Sequence, residues 1–164
     1  MNDEKGQLSG EYMLLVGSLI VVLMISIFMI ANENELNIAM AAAKSGADEG
    51  VASSSSAIYP KETFNEYEDM EGLKHPYSVS IVNVSYNSSG IDENYGKQKI
   101  QFKVYAKASA DYNKKELDSI GDRINYNLRK SVATSFNTTD STNKLYNPVF
   151  SNNYVFTTAN VVWV

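Results

Sequence analysis

The chain of 164 residues contains no cysteine, a single histidine and no proline before Pro60. The absence of cysteine excludes disulfides, thiolate metal sites and a cysteine nucleophile. His75 stands alone between a lysine and a proline, which is typical of a solvated loop side chain. The sequence also lacks a glycine-rich phosphate loop and a set of serine, histidine and carboxylate residues at catalytic spacing. We therefore expect neither an enzyme nor a cofactor.

Positive charge is scarce as well. The chain carries 14 Lys and Arg against 19 Asp and Glu, a formal net charge of −5. Nucleic acid is therefore not an expected partner, because phosphate binding is driven by Lys and Arg. The acidic residues between positions 62 and 71 lack the ligand spacing of a calcium loop, and we interpret them as a solvated surface.

Charge is missing altogether from residues 12–31, YMLLVGSLIVVLMISIFMIA. As a helix, this run spans about 30 Å, the thickness of a bilayer's hydrocarbon core. A cleaved secretory signal would have a positive leader and a shorter apolar region, whereas the leader here, MNDEKG, is acidic. The run predicts a membrane helix that stays in the protein, with its N-terminus inside and its C-terminus outside.

The lack of proline allows one helix from about residue 8 to residue 55. Beyond the apolar run, a stripe recurs at three- and four-residue steps, formed by Leu36, Met40, Ala43, Ala47 and Val51. Because the stripe is mostly alanine, it predicts close packing against another surface. Gly17, Gly46 and Gly50 are expected to be soft points. The helix should end at the serine tract, 53–56, and the Tyr59-Pro60 pair that follows it.

Residues 60–164 have the length of a small domain. We predict a strand at 77–86, whose alternation slips between Ile81 and Val82 and allows a bulge, then a loop at 87–96. Residues 99–110 alternate and predict a strand with one core face. Asn113 and Glu116 form a capping box for an amphipathic helix that reaches residue 135. Its apolar face is formed by Leu117, Ile120, Ile124, Leu128 and Val132, and its surface elsewhere by Asp118, Asp122, Arg123, Arg129 and Lys130. One or two strands follow, of which the last, 154–164, is apolar on both faces, as in an inner strand or one that packs on the long helix.

The stretch KGQLSGEY, residues 5–12, leads into the apolar helix. Its lysine-glycine pair is followed by Gln7, Ser9, Glu11 and Tyr12, and this pattern resembles the class III signal peptide of archaeal type IV prepilins. The resemblance covers about residues 5–45. It implies an α+β, type IV pilin-like fold, with a long N-terminal hydrophobic helix followed by a small, β-sheet-rich globular head with one amphipathic helix.

The resemblance further implies that a prepilin peptidase cuts between Gly6 and Gln7. Residues 1–6 would then be the leader peptide, 7–59 the long helix and 60–164 the extracellular head. Glu11 would be the assembly residue, because a carboxylate buried among packed helices is costly without a cation. The N-terminal ammonium of a mature subunit could supply that cation in one axial register. Whether the pair forms within one subunit or between two is left open by the sequence.

On this basis we expect a structural subunit that polymerises through its N-terminal helices into an extracellular archaeal type IV pilus-like filament for surface attachment. The implied partners are other copies of the chain, prepilin peptidase, and the pilus assembly ATPase with its membrane platform. One alternative is a minor pilin or membrane-anchored pilin-like adhesin that binds an external surface or ligand. Another is a signal-anchored monomer, for which cleavage after Gly6 would be dispensable.

Three Asn-x-Ser/Thr triplets begin at Asn83, Asn87 and Asn137. Such triplets are acceptors for N-linked glycans in proteins that face the cell exterior. The inferred topology places all three outside the membrane, so we expect them to be glycosylated. Asn87 and Asn137 fall in predicted loops, whereas Asn83 falls within a predicted strand.

Overall fold

The computed structural model describes residues 3–52, 78–109 and 111–164, with side chains from residue 10 onward. Two helices of more than three residues and five strands follow one another in these ranges: α1 (Asp3–Ala52), β1 (Val79–Asp92), β2 (Lys97–Ala108), α2 (Lys114–Ser135), β3 (Val149–Phe150), β4 (Tyr154–Thr158) and β5 (Val162–Trp163). A 3-10 turn, Thr139–Ser141, follows α2. The predicted α+β order is confirmed: a long apolar N-terminal helix precedes a mixed sheet and a second helix.

Helix α1 runs unbroken for 50 residues and begins five residues earlier than predicted. The chain forms two compact units, Met1–Asn37 and Ile38–Val164, so the boundary between them falls within α1. The predicted helix end in the serine tract and the predicted domain boundary at residue 60 both lie outside the described residues.

The part of α1 that belongs to the second unit buries a face made of small residues. The buried positions are Ala39, Ala42, Ala43, Gly46, Ala47 and Gly50. The predicted stripe is therefore confirmed at its alanines. Its larger members, Leu36, Met40 and Val51, are only half-buried at the margin of this face.

Strands β1 and β2 form an antiparallel hairpin with a turn at residues 93–96. The loop predicted at 87–96 is wrong for residues 87–92, because β1 continues to Asp92. Pairing with β2 overrides the weak strand propensity of the segment NSSG. Gly90, at φ 83°, lies in the shifted register between Ser88 and Ile91, and Gly96, at φ 63°, closes the turn. Both glycines adopt a left-handed backbone that other residues rarely take.

The bulge allowed by the sequence near Val82 is confirmed. The β1–β2 register shifts between Ile81 and Asn83, which leaves Val82 without an opposite residue and 58% exposed. A bulge of this kind adds one residue to one strand. The alternation of side chains between the two faces of the sheet is therefore shifted by one residue beyond it. Beyond it, Val84 is buried on the core face.

Strand β2 lies at the centre of the sheet, whose order is β1-β2-β4-β3 with β5 also pairing β2. The alternation predicted for β2 is confirmed, since Ile100, Phe102, Val104 and Ala106 are buried and the residues between them are more exposed. Strands β4 and β5 run parallel to β2. Parallel neighbours need a long connection, which residues 109–153 provide.

The final strand predicted at 154–164 is divided in two. Phe102 lies opposite Thr158, and Tyr105 lies opposite Val162. Between these pairs, the three residues 159–161 of the C-terminal segment face only the two residues 103–104 of β2. At the break, the Ala159 N–H still donates to Phe102, whereas the Ala159 carbonyl accepts from the Asn125 side chain at 2.9 Å. The prediction of an inner strand is confirmed for β4, which lies between β2 and β3.

Helix α2 has the predicted capping box: the Asn113 side chain accepts from the Glu116 N–H at 3.0 Å, and the Glu116 carboxylate accepts from the Asn113 N–H at 2.9 Å. The predicted face is buried at Ile120, Ile124, Leu128 and Val132. Burial extends further round the helix than an amphipathic pattern indicates. Arg123, predicted on the helix surface, is only 5% exposed.

Candidate functional site

The most extensive apolar surface of the described chain lies on α1 between residues 12 and 31. Every residue there is exposed except Val16, which is half-buried, and Leu14 keeps 76% of its surface. Apolar patches of this extent mark contact sites for lipid or protein. By length and composition, α1 is the one described helix that could cross a membrane or serve as a signal anchor.

The signature residues lie at the beginning of the same helix. The backbone of Gly6, Gln7 and Ser9 is helical. Glu11 and Tyr12 are both exposed, and Glu11 makes no ion pair with any described residue. The predicted cleavage bond therefore lies in helical backbone, which a peptidase would have to unwind before cutting.

Two of the three glycosylation candidates lie on β1. Asn83 and Asn87 are exposed and stand opposite Tyr105 and Gln101 of β2. The prediction that Asn87 lies in a loop is wrong, since it lies within the strand. Because the two asparagines are four residues apart in a strand, they share a face, and Val84 lies on the opposite, buried one.

Asn137 has a structural role that the sequence did not indicate. It follows the end of α2 with φ 54°, and its N–H donates to Thr134 at 3.1 Å while the Thr138 N–H donates to Ala133 at 2.9 Å. This pair of bonds is a Schellman cap, in which the left-handed position favours Gly or Asn. Asn137 is also exposed, as a glycan acceptor must be.

An open cleft of about 450 Å³ lies beside the end of α2. It is lined by Lys97, Phe136, Thr138, Ser141, Phe150, Ser151 and Asn152. The Lys97 ammonium donates to the Ser151 carbonyl at 2.6 Å and lies 5.9 Å from the centre of the Phe150 ring. Lys97 is thus bound to the protein itself, and the described residues that line the cleft include no carboxylate and no imidazole.

Tyr126, Tyr146 and Arg129 form a polar cluster on the second unit. The two tyrosine rings lie 5.5 Å apart. Burial raises the pKa of Tyr126, the neighbouring Tyr146 adds to the increase, and the Arg129 charge opposes it. Arg129 also donates to the Leu145 carbonyl at 3.0 Å and to the Thr158 hydroxyl at 2.6 Å. This cluster attaches the 143–147 segment to α2 and β4, a structural role that the sequence pattern did not predict.

Among the described residues, no group of three His, Cys, Asp or Glu side chains is close enough together to hold a metal ion. His75 and the acidic residues at 62–71 lie outside the described residues. The sequence-based expectations about them stay predictions.

Close helix contact in the second unit depends on two glycines that were expected to be soft points of α1. A Cβ atom on Gly46 would lie 2.6 Å from the Asn127 carbonyl oxygen and 2.8 Å from the Leu128 Cα. A Cβ atom on Gly50 would lie 2.8 Å from the Ile124 Cα. These glycines are therefore contact positions. The four-residue spacing, which permits close approach of two helices, was the available signal.

Comparison of the chain with protein-family models, with curated proteins and with solved structures gave no match. The candidate sites therefore depend on the residues and geometry of this chain.

Proposed function

We propose that this chain is a pilin-type structural subunit that is cut between Gly6 and Gln7 and polymerises through α1 into an extracellular filament for surface attachment. The observation that carries the proposal is the apolar surface of α1 between residues 12 and 31, which nothing in the described chain covers. Such a surface requires lipid before assembly and helices of other copies afterwards.

The signature KGQLSGEY gives this surface a specific use. A membrane anchor needs only an apolar run, and the lysine-glycine pair, Gln7, Ser9 and Tyr12 are not explained by anchoring. A processing enzyme at the cytoplasmic face would remove the acidic leader and leave the apolar helix in the subunit. Its substrate would be the segment around Gly6, where glycine permits the extended backbone that a peptidase cleft holds.

In this proposal, Glu11 determines the axial position at which one subunit packs against the next. It is exposed and without an ion-pair partner among the described residues, which is inexpensive at the lipid headgroup level. Among packed helices it would be desolvated, and the ammonium freed at Gln7 would be the nearest cation of the mature α1. Subunits packed out of register would leave both charges unpaired, so the pair selects one axial stagger.

The buried face of α1, which is made of small residues, also suits a pilin subunit. In such a subunit, one part of the helix packs in the filament core and another part packs within the head. Residues 39–50 use Ala and Gly to pack within the second unit, whereas residues 12–31 carry the larger Leu, Ile, Val and Met side chains. One helix thus has a head-packing section and an apolar section for contacts with other molecules.

The test is to determine whether the chain is present in extracellular filaments or only in membranes. Extracellular filaments sheared from cells and purified without detergent should contain this protein as their main component. A trace amount in filaments would favour the minor pilin. Recovery of the uncut chain from membranes alone, with none in filaments, would contradict both pilin proposals and favour the anchored monomer.

A further inference from the structure

The longest strand of the sheet also lies at its edge. In the described part of the chain, β1 pairs with β2 on one side and with no strand on the other. It is 14 residues long, and from Val79 to Ile91 it contains no charged residue and no proline. Edges of soluble sheets are normally blunted by charges, proline, bulges or short length, because free N–H and C=O groups can pair with another chain.

The two irregularities of β1 protect only its ends. Register shifts fall between Ile81 and Asn83 and between Ser88 and Ile91. Between them lies one regular stretch, residues 83–88, of sequence NVSYNS. Six uncharged residues in regular extended form are long enough to pair with an identical segment. Two copies could meet there without charge repulsion, and Tyr86 is 45% exposed.

Both sequon asparagines of β1 fall in this stretch, at its first and fifth positions. Asn83 and Asn87 share one face and are exposed. An added strand would lie about 4.8 Å from β1, with side chains about 5 Å from those of its neighbour. A glycan on either asparagine extends further than this distance and would occupy the space that the added strand needs.

We propose that N-linked glycans at Asn83 and Asn87 keep this edge of β1, which no described strand covers, from pairing with the same edge of a second copy. This inference rests on the proposed function in one respect, namely that the head lies outside the membrane, where glycans are attached. A filament subunit has special need of such protection, because polymerisation brings many identical edges to high local concentration. The glycans would take the place of the charges that β1 lacks.

The absence of cysteine allows a direct test. Tyr86 belongs to neither triplet, so Tyr86→Cys places one thiol at the middle of the edge and leaves both glycan acceptors intact. The full chain, produced in a glycosylating host and purified in detergent at about one chain per micelle, is treated with a short bismaleimide crosslinker. Asp140→Cys, at an exposed position on the 3-10 turn, is the matched control.

Glycans are then removed in two independent ways, by N83Q/N87Q and by S85A/S89A, each in the Tyr86→Cys background. We expect several-fold more crosslinked dimer in both glycan-free proteins than in the glycosylated one, and no change for the Asp140→Cys control. Adding Val82→Lys, which places like charges on the two edges, should reduce the crosslinking to the glycosylated level.

Three outcomes would overturn the inference. Intact masses that show no glycan at Asn83 and Asn87 would mean that the groups proposed to prevent edge pairing are absent. Equal crosslinking with and without glycans would show that the edge does not pair, and crosslinking at Asp140→Cys to the same extent would show non-specific association. None of these results bears on processing at Gly6 or on the presence of the chain in filaments, so the proposed function is tested separately.

Discussion

Gly46 of α1 lies so close to Asn127 of α2 that a Cβ atom on the glycine would be 2.6 Å from the asparagine carbonyl oxygen. The obstructing atom belongs to the backbone, so it cannot move aside as a flexible side chain could. The contact fixes the separation of the two helices within the second unit. Any residue larger than glycine at position 46 must push them apart.

Gly46→Ala should therefore destabilise the second unit. Forcing added atoms into a tight contact costs about 1–3 kcal/mol. The measurement is thermal unfolding of the full chain in detergent, followed by the fluorescence of Trp163, the single tryptophan. Trp163 lies in β5, on the second unit, and reports on that unit directly.

Gly17→Ala is the matched control, because a Cβ atom there would meet nothing within 4 Å. It lies on the same helix and gains the same methyl group, so we expect unchanged or slightly higher stability, by up to about 1 kcal/mol. Equal destabilisation by both substitutions would show that the contact of Gly46 with Asn127 is not the cause.

Arg129 should hold the 143–147 segment against β4. Arg129→Met keeps most of the apolar stem but removes both donors, to the Leu145 carbonyl and the Thr158 hydroxyl. Hydrogen bonds to charged groups are worth about 1.5–3 kcal/mol each, so we expect the free energy of unfolding to fall by an amount in that range or above it. Urea-induced unfolding of parent and variant measures this difference.

The neighbouring Lys130→Met is the control for this substitution. Lys130 is exposed, and such surface changes usually stay within about 0.5 kcal/mol. Arg129→Lys should recover only part of the loss, since a single ammonium cannot reproduce the two-pronged geometry. Full recovery by lysine would mean that charge alone, rather than the pair of directed bonds, stabilises the segment.

Alkaline pH should destabilise the second unit partly through Tyr126. Burial, and then Tyr146, raise its pKa in the folded protein. As the pH rises, the unfolded chain therefore loses the Tyr126 proton before the folded protein does. The contribution of the protonated hydroxyl to the free energy of unfolding is complete below about pH 10, the pKa in the unfolded chain. It falls as the pH rises from there through the higher pKa of the folded protein.

Tyr126→Phe removes this titration together with the hydrogen bond to Tyr146. At pH 8 the variant should be less stable than the parent by about 1 kcal/mol. The difference should shrink as pH is raised above 10, because only the parent loses the contribution of Tyr126. A difference that stays constant from pH 8 to pH 11 would contradict the assigned direction of the pKa shift.

Several features of the fold could be predicted because they depend on neighbouring residues alone. The alternation of β2 between Ile100 and Ala106 follows from burial of one face, and the capping box of Asn113 with Glu116 is complete within four residues. The bulge beside Val82 was visible as a slip in the same alternation. The charge-free run of α1 indicated a helix long enough to span a membrane.

Other features depend on partners distant in the sequence. The segment NSSG of β1 has the composition of a loop, and only its pairing with β2 makes it a strand. Gly46 and Gly50 look like weak points of a helix until α2 lies against them. The exposed edge that contains Asn83 and Asn87 could not be foreseen, because a strand's position in a sheet is a property of the whole topology.

Glu11 provides a prediction for assembly. Glu11→Ala should still be cut after Gly6 but should yield far fewer filaments, because the mature ammonium would have no carboxylate partner. Glu33→Ala is the control, since Glu33 is an exposed glutamate of the same helix beyond the apolar run. Filament yield by electron microscopy and processing by the mobility of the membrane-bound subunit are the two measurements. Normal filaments from Glu11→Ala would remove the proposed register role.

The decisive measurement for processing and assembly is the N-terminal peptide and intact mass of the subunit in purified extracellular filaments. The filament subunit should begin at Gln7 with a free amino group and retain all of the apolar run at 12–31. A cyclised Gln7 would contradict the ammonium pairing with Glu11 while leaving the filament role intact. Filaments that lack this chain, with the protein uncut at Gly6 in the membrane, would contradict the proposed pilin function.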